Sequence, residues 1–322
     1  MSAAVLAAPG RIEVRRIPAP VPGPGQVRVR LSGCGVCASN IPPWEGREWF
    51  DYPFAPGAPG HEGWGVVDAL GEGVQLLRVG EPVAMLSGHA YAQYDVASQS
   101  AVVSLPADLA ADVFPGEPLG CAINVMTRSS IAAGQTVAVV GVGFLGALVT
   151  RLASLAGAKV IAVSRRPFSM QIARRMGCKH CLQMDEPQTV VDAVKALTAE
   201  AMCDIVIEAV GNQRALDLAS ELTAVRGRLV VAGYHQDGPR QVNMQLWNWR
   251  GLDVVNAHER DEALYVRGMA AAVELACAGV LPVGSLVTHQ FPLAELGEAL
   301  SQTCRRPEGF LKAAVRMPGG AA

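Results

Sequence analysis

Charge is scarce in this chain. Only 17% of its 322 residues are Asp, Glu, Lys or Arg, and the signs nearly cancel: 27 basic against 29 acidic, a formal net charge of −2. Nucleic-acid binding needs clustered Lys and Arg, and here the basic residues are scattered apart from short runs at 164–166, 173–175 and 304–306. Long apolar runs are missing too. The Gly-rich stretch 137–162 is broken by Arg151, so no segment of about 18 apolar residues is available to span a bilayer. The opening MSAAVLAAPGRIEVRRI lacks the basic start, apolar run and cleavage site of a secretory leader. Eight cysteines in so long a chain form no dense disulfide framework, and in a reducing compartment they serve as thiols or metal ligands. These absences lead us to expect a cytoplasmic protein without nucleic-acid or membrane partners.

What is present is apolar material, half of all residues, together with 34 glycines and 21 prolines. The length suggests two domains. In the first third, GQVRVRLSG (25–33) alternates as a half-buried strand does. GWGVVDALG (63–71), EPVAMLSG (81–88), AYAQYDVAS (90–98) and AVVSLP (101–106) continue as short strands between Gly and Pro turns, the pattern of a β barrel or sandwich. Near residue 117 the pattern changes to strands alternating with helices, which predicts βαβ units and a parallel sheet. TVAVVG (136–141), KVIAVS (159–164), CDIVIEAVG (203–211) and GRLVVAG (227–233) are its strands, with LDVVNA (252–257) as a candidate last one. The spacing predicts helices over 144–157, 168–177 and 263–279, then a strand-like SLVTHQFP at 285–292.

VVGVGFLGAL carries G-x-G-x-x-G as Gly141, Gly143 and Gly146, directly after a buried strand and at the start of a helix that opens with Phe144 and Leu145. That context turns a weak string into a dinucleotide-binding expectation. Gly141 serves the tight turn, Gly143 lets backbone approach a pyrophosphate, and Gly146 lets helix and strand pack closely. The second strand ends in Ser164, Arg165 and Arg166 where an NAD site carries an acid. A hydroxyl and guanidinium groups receive a 2′-phosphate that an acid repels, so NADP(H) is expected over NAD(H).

Two further segments bear metal-ligand chemistry. SGCGVCASN holds Cys34 and Cys37, a C-x-x-C that suits a zinc knuckle, a redox dithiol, or one ligand beside a bystander. PGHEGWGVV holds His61 and Glu62. Sulfur, imidazole nitrogen and carboxylate oxygen together suit tetrahedral zinc, with Glu117 downstream as a further donor.

GCGVCAS, GHEGWGVVDALGEGV and EPLGCAIN, in this order, resemble the zinc-dependent medium-chain alcohol/polyol dehydrogenase family, in its sorbitol/threonine dehydrogenase-like branch. The second fits the family's zinc signature at Gly60, His61, Glu62, Gly65, Gly71 and Val74. The resemblance runs nearly end to end. It implies an α/β chain in which a GroES-like β-barrel catalytic domain (1–120, with 259–322 returning to it) accompanies a Rossmann doubly wound parallel-sheet domain (121–258). It implies one catalytic Zn2+ on Cys37 and His61, with Glu62 and Glu117 as the remaining candidates. Ser39 then starts a proton relay. The implied reaction is hydride transfer between a secondary alcohol or polyol, as its ketone pair, and NADP(H), in a homodimer or homotetramer. A zinc-free quinone or enone reductase on the same fold, and a catalytically silent NADP-binding redox sensor, are the alternatives.

Several residues depart from the family pattern. Asn40 stands in place of an acid that orients the zinc-binding histidine, and Pro42 in place of a relay histidine, which leaves His89 or His258 to be considered. No cysteine lies between Cys37 and Cys121, so the family's structural-zinc loop is missing and no structural zinc is expected. CKHC (178–181) has no second close pair beyond Cys34/Cys37 and reads as packing or exposed thiols; Cys121 is a reserve ligand. Trp44, Trp49, Phe50, Tyr52 and Phe54 read equally as a lid over the β domain or as a substrate-pocket wall. Trp247 and Trp249 are placed near the cofactor or at a subunit contact.

Overall fold

The computed structural model describes residues 1–110 and 112–319. The chain divides into two compact units, Met1–Gly120 with Asp261–Ala322, and Cys121–Arg260. The strands run in chain order as β1 (Ser2–Ala8), β2 (Arg11–Arg16), β3 (Gln26–Val36), β4 (Glu62–Leu70), β5 (Pro82–Leu86), β6 (Tyr94–Ser98) and β7 (Val102–Ser104). There follow β8 (Thr136–Val140), β9 (Lys159–Ser164), β10 (His180–Gln183), β11 (Cys203–Glu208), β12 (Thr223–Val231) and β13 (Asp253–Asn256), then β14 (His289–Pro292) and β15 (Ala313–Arg316).

The first unit is built on β3, whose alternation sends Val27, Val29 and Leu31 into the core. Its sheet has the order β14-β15-β3-β4-β5-β7, with β6 also paired to β3. Past Ser32 the strand is buried at every residue, and β4 and β15 pair with its two edges: Cys34 lies opposite Gly63 on one side and Val315 on the other. Glycines admit this crowding. A Cβ on Gly65 would meet the β3 backbone, and one on Gly33 would meet the ring of Trp64. Phe310, Leu296 and Leu300, from the end of the chain, complete the same core.

The second unit is a six-stranded sheet of order β10-β9-β8-β11-β12-β13, every pair parallel. Renumbered from β8 this is 3-2-1-4-5-6, the doubly wound dinucleotide-binding order. Helices on both faces make β8, TVAVV, a continuous buried apolar run rather than an alternating one. Among them are Phe144–Leu155 and Gln213–Leu222.

SLVTHQFP is not strand throughout. Its start lies in the short helix Val283–Leu286, and pairing begins only at His289. Among the elements beyond the expected set are the β1–β2 hairpin and the short helix Ile41–Glu45, which opens with Pro42 and Pro43 near its first turn and closes at Gly46 in the left-handed region.

Candidate active site

The end of β3 and the start of β4 bring three donors together. Cys37 follows β3, His61 precedes β4, and Glu62 is the first residue of β4. One donor atom from each lies within 4.8 Å of the others. His61 Nδ1 is 2.9 Å from the carbonyl oxygen of Pro59. A carbonyl only accepts, so Nδ1 carries a proton and Nε2 is the ring nitrogen left for the Cys37 sulfur. Burial would push the His61 pKa down, but the Cys37 sulfur bonded to the ring, with Glu117 and Glu62 nearby, carries it up to about 10.

Glu62 is fully buried. Its Oε1 accepts from Lys312 Nζ at 2.6 Å, while Oε2 is buried without a hydrogen-bond partner. Glu117, on the helix Gly116–Ser129, accepts from the Tyr265 hydroxyl at 3.0 Å. Burial raises the Glu117 carboxyl above its usual range, partly opposed by His61, by Tyr265 and by Lys312. Glu117 is thus electrostatically linked to the cluster, yet it does not belong to the trio whose donors converge. Cys34 is fully buried, and its Sγ lies 3.3 Å from the Gly35 carbonyl. Burial, then the Glu62 charge, raise its thiol far above the normal range, so it stays protonated. A cysteine sulfur, an imidazole whose Nδ1 is fixed by Pro59 and a buried carboxylate oxygen lacking a hydrogen-bond partner form a donor set that fits zinc.

Ser39 lies two residues past Cys37 in a single helical turn, Ala38–Asn40, and is partly exposed. Asn40 does not bond to His61. Its Nδ2 donates to Pro59 O at 3.2 Å and its Oδ1 accepts from the Tyr91 hydroxyl at 2.7 Å. Pro42 is buried. His89 is exposed at the side chain, with its backbone N–H bonded to Asp95. His258 stacks on Tyr234 at 5.3 Å in the second unit. Trp44 packs against the barrel core, whereas Trp49 is half exposed at the end of an aromatic run through Phe50, Phe54 and Tyr52.

In the second unit, Gly141 has φ +100°, and a Cβ there would meet Val210. A Cβ on Gly146 would fall on the Gly141 carbonyl, so only glycine lets the helix pack this close. Around the Cβ position of Gly143 there is nothing within 4 Å. Turn and helix start, with Phe144 and Leu145, therefore present an open N-terminal cradle that fits a pyrophosphate. Ser164 is buried at the end of β9, and its hydroxyl is 3.4 Å from the Arg166 N–H, while Arg165 is exposed. Glu208, fully buried at the end of β11, holds the next loop: its Oε1 accepts from Val210 and Gly211, and Oε2 faces His235 at 2.9 Å. Cys178 and Cys181 have Sγ atoms 4.0 Å apart, and Cys178 Sγ also reaches the Val160 carbonyl. Trp247 bonds to Ser220, and Trp249 is exposed.

Lys312, Tyr265, Tyr91 and the Pro59 carbonyl escaped sequence reasoning. No motif marks them, and only tertiary pairing brings Lys312 to Glu62 across 250 residues.

Comparison with known proteins identifies the family and the fold. The family model described as alcohol dehydrogenase GroES-like domain matches residues 23–122, and the one described as zinc-binding dehydrogenase matches 145–270. The sorbitol dehydrogenase of Bacillus subtilis (strain 168) is 24% identical over 98% of this chain and 97% of that protein. The erythritol/L-threitol dehydrogenase of Mycolicibacterium smegmatis is 28% identical over 93% of each. The crystal structure of 2R,3R-butanediol dehydrogenase from Bacillus subtilis superposes with a TM-score of 0.83 at 24% identity, covering 98% of this chain and 99% of that one. With both domain models in sequence and polyol dehydrogenases along its whole length, the chain belongs to the zinc-dependent medium-chain alcohol/polyol dehydrogenase family.

Proposed function

We propose that this chain is a zinc-dependent, NADP(H)-linked dehydrogenase that interconverts a secondary alcohol or polyol and its ketone. The convergence of Cys37, His61 and Glu62 beside Ser39 carries this reading. Cys37 and His61 hold the metal, and Glu62 or Glu117 completes the set. Bound zinc supplies Lewis acidity at the substrate oxygen, and the nicotinamide supplies a hydride acceptor. Ser39 accepts the hydroxyl proton of the substrate and passes its own onward. Its partial exposure lets water take that proton directly, because Pro42 has no group to carry it. The turn Gly141–Gly146 with Phe144 and Leu145 cradles the pyrophosphate, and Ser164, Arg165 and Arg166 receive the 2′-phosphate.

The test is metal analysis of purified protein together with turnover of a panel of secondary alcohols, polyols and ketones with each cofactor. About one zinc per chain, and a higher kcat/KM with NADPH than with NADH, are expected. Turnover of enones or quinones without metal favours the zinc-free reductase instead, and a clear NADH preference removes the role given to Ser164 and Arg165.

Assembly into a homodimer or homotetramer belongs to the same reading. β13 is an edge strand whose Val254 is exposed, and Val225 and Trp249 are exposed in the same unit. Light scattering is expected to give a dimer or tetramer, and Val254→Lys is expected to shift it toward monomer.

A further inference from the structure

The hydrogen bonds around His61 form a short branched chain. Pro59 O accepts from His61 Nδ1 at 2.9 Å and from Asn40 Nδ2 at 3.2 Å. Asn40 Oδ1 accepts from the Tyr91 hydroxyl at 2.7 Å. Tyr91 is fully buried and Asn40 is 3% exposed, so water does not substitute for either bond. The orientation of the amide follows from chemistry: Pro59 O takes only donors, so the nitrogen of Asn40 must face it and the oxygen must face the tyrosine hydroxyl.

We infer that Asn40 is a positioning residue that orients His61 through the shared Pro59 carbonyl, with Tyr91 holding the amide in register. Asparagine suits this place because it offers an acceptor on one side and a donor on the other. An ionised aspartate would aim a carboxylate oxygen at a carbonyl oxygen across the space now bridged by a hydrogen bond. It would lose the Pro59 bond and push that carbonyl away from His61. The departure from an acid at position 40 is therefore matched by Tyr91 and by the turn at Pro59. This inference rests on the reading of Cys37, His61 and Glu62 as metal ligands.

The two ways of holding His61 differ in sign. If an acid acted directly on the imidazole, Asn40→Asp would strengthen zinc binding by making the ring a better donor. If the carbonyl carries the orientation, the same substitution weakens it. The experiment measures zinc dissociation constants of the full-length wild type, Asn40→Asp and Tyr91→Phe by competition with a chromophoric chelator. It is run near pH 8, about four pH units above an ordinary Asp pKa. Visible spectra of the cobalt-substituted proteins report ligand geometry independently of activity. Asn40→Asp is expected to weaken zinc about 10–100-fold and to shift the cobalt bands. Tyr91→Phe removes one hydroxyl, keeps the fold, and is expected to weaken zinc about 3–10-fold with a smaller spectral shift in the same direction. Zinc bound as tightly or more tightly by Asn40→Asp overturns the inference. So does a Tyr91→Phe protein with wild-type affinity and spectrum, which decides the matter should Asn40→Asp not fold. A wild type that takes up no zinc is a different result, and it removes the metal reading together with the inference built on it.

Discussion

Glu62 is wholly buried and Lys312 nearly so, with 2.6 Å between Oε1 and Nζ. Each charge is tolerated because the other is present. Burial would push the Lys312 ammonium down, but the Glu62 carboxylate overrides this and raises it. Breaking such a pair costs more than the pair contributes, because one buried charge is stranded. In metal-free protein, Lys312→Met is expected to lower the unfolding free energy by about 3–5 kcal/mol, and Lys312→Met/Glu62→Gln to recover part of it. Urea denaturation in a double-mutant cycle measures both, and an additive cycle would refute the coupling. Gly35 is tied to the same carboxylate: a Cβ there would fall on Glu62 Oε2. Gly35→Ala is therefore expected to displace Glu62 and to lower both melting temperature and zinc content, read by calorimetry and metal analysis. At this scale Cys37, His61 and Glu62 were legible because a local motif sets them. Lys312 and Tyr265 were not, because an unremarkable Lys or Tyr gains its role only from a contact 250 or 148 residues away.

The turn between β8 and the helix Phe144–Leu155 separates two uses of glycine. Gly146 is packed against backbone, whereas Gly143 faces open space. Gly146→Ala is expected to cost about 1–3 kcal/mol of stability through overpacking. Gly143→Ala is expected to leave the melting temperature near wild type but to raise the dissociation constant for NADP+ about tenfold, since its methyl occupies the cradle. Thermal melts and fluorescence titrations distinguish the two, and a destabilised Gly143→Ala with normal NADP+ affinity would reverse the assignment. The strands β8, β9, β11 and β12 were readable as elements because burial on both faces leaves apolar runs, whereas the short, half-exposed β10 (HCLQ) offers no such run and went unread. SLVTHQFP was misread in part because a short apolar run carries no period that separates strand from helix. The turn of helix at Ile41–Glu45 went unread because NIPPWEG carries proline and glycine signals that fit a loop equally well.

Across the whole molecule, buried thiols couple stability to alkaline pH. Burial pushes both Cys178 and Cys203 up to about 12, with Cys181 adding to the first and Asp204 to the second. An unfolded chain ionises the same thiols near 9.0. Their contribution is complete below that value and is lost as pH rises toward 12, because the unfolded state sheds protons first. Unfolding free energies measured from neutral to alkaline pH are expected to fall over this window, and less so in Cys203→Ala relative to its own value at neutral pH. In the folded protein, iodoacetamide is expected to label exposed Cys277 well before Cys178 or Cys203. The two-unit organisation was visible in the change of periodicity near residue 117. The return of 259–322 to the first unit came from the family resemblance, since nothing local in FLKAAVRM (310–317) shows that it pairs with β3. That return has a consequence for biosynthesis. Cys37, His61 and Glu62 leave the ribosome early, but the ammonium that neutralises Glu62 is some 250 residues behind it. A nascent chain thus carries Cys37, His61 and Glu62 around an unbalanced carboxylate until those further residues have been made, so this ion pair forms only after the intervening chain exists.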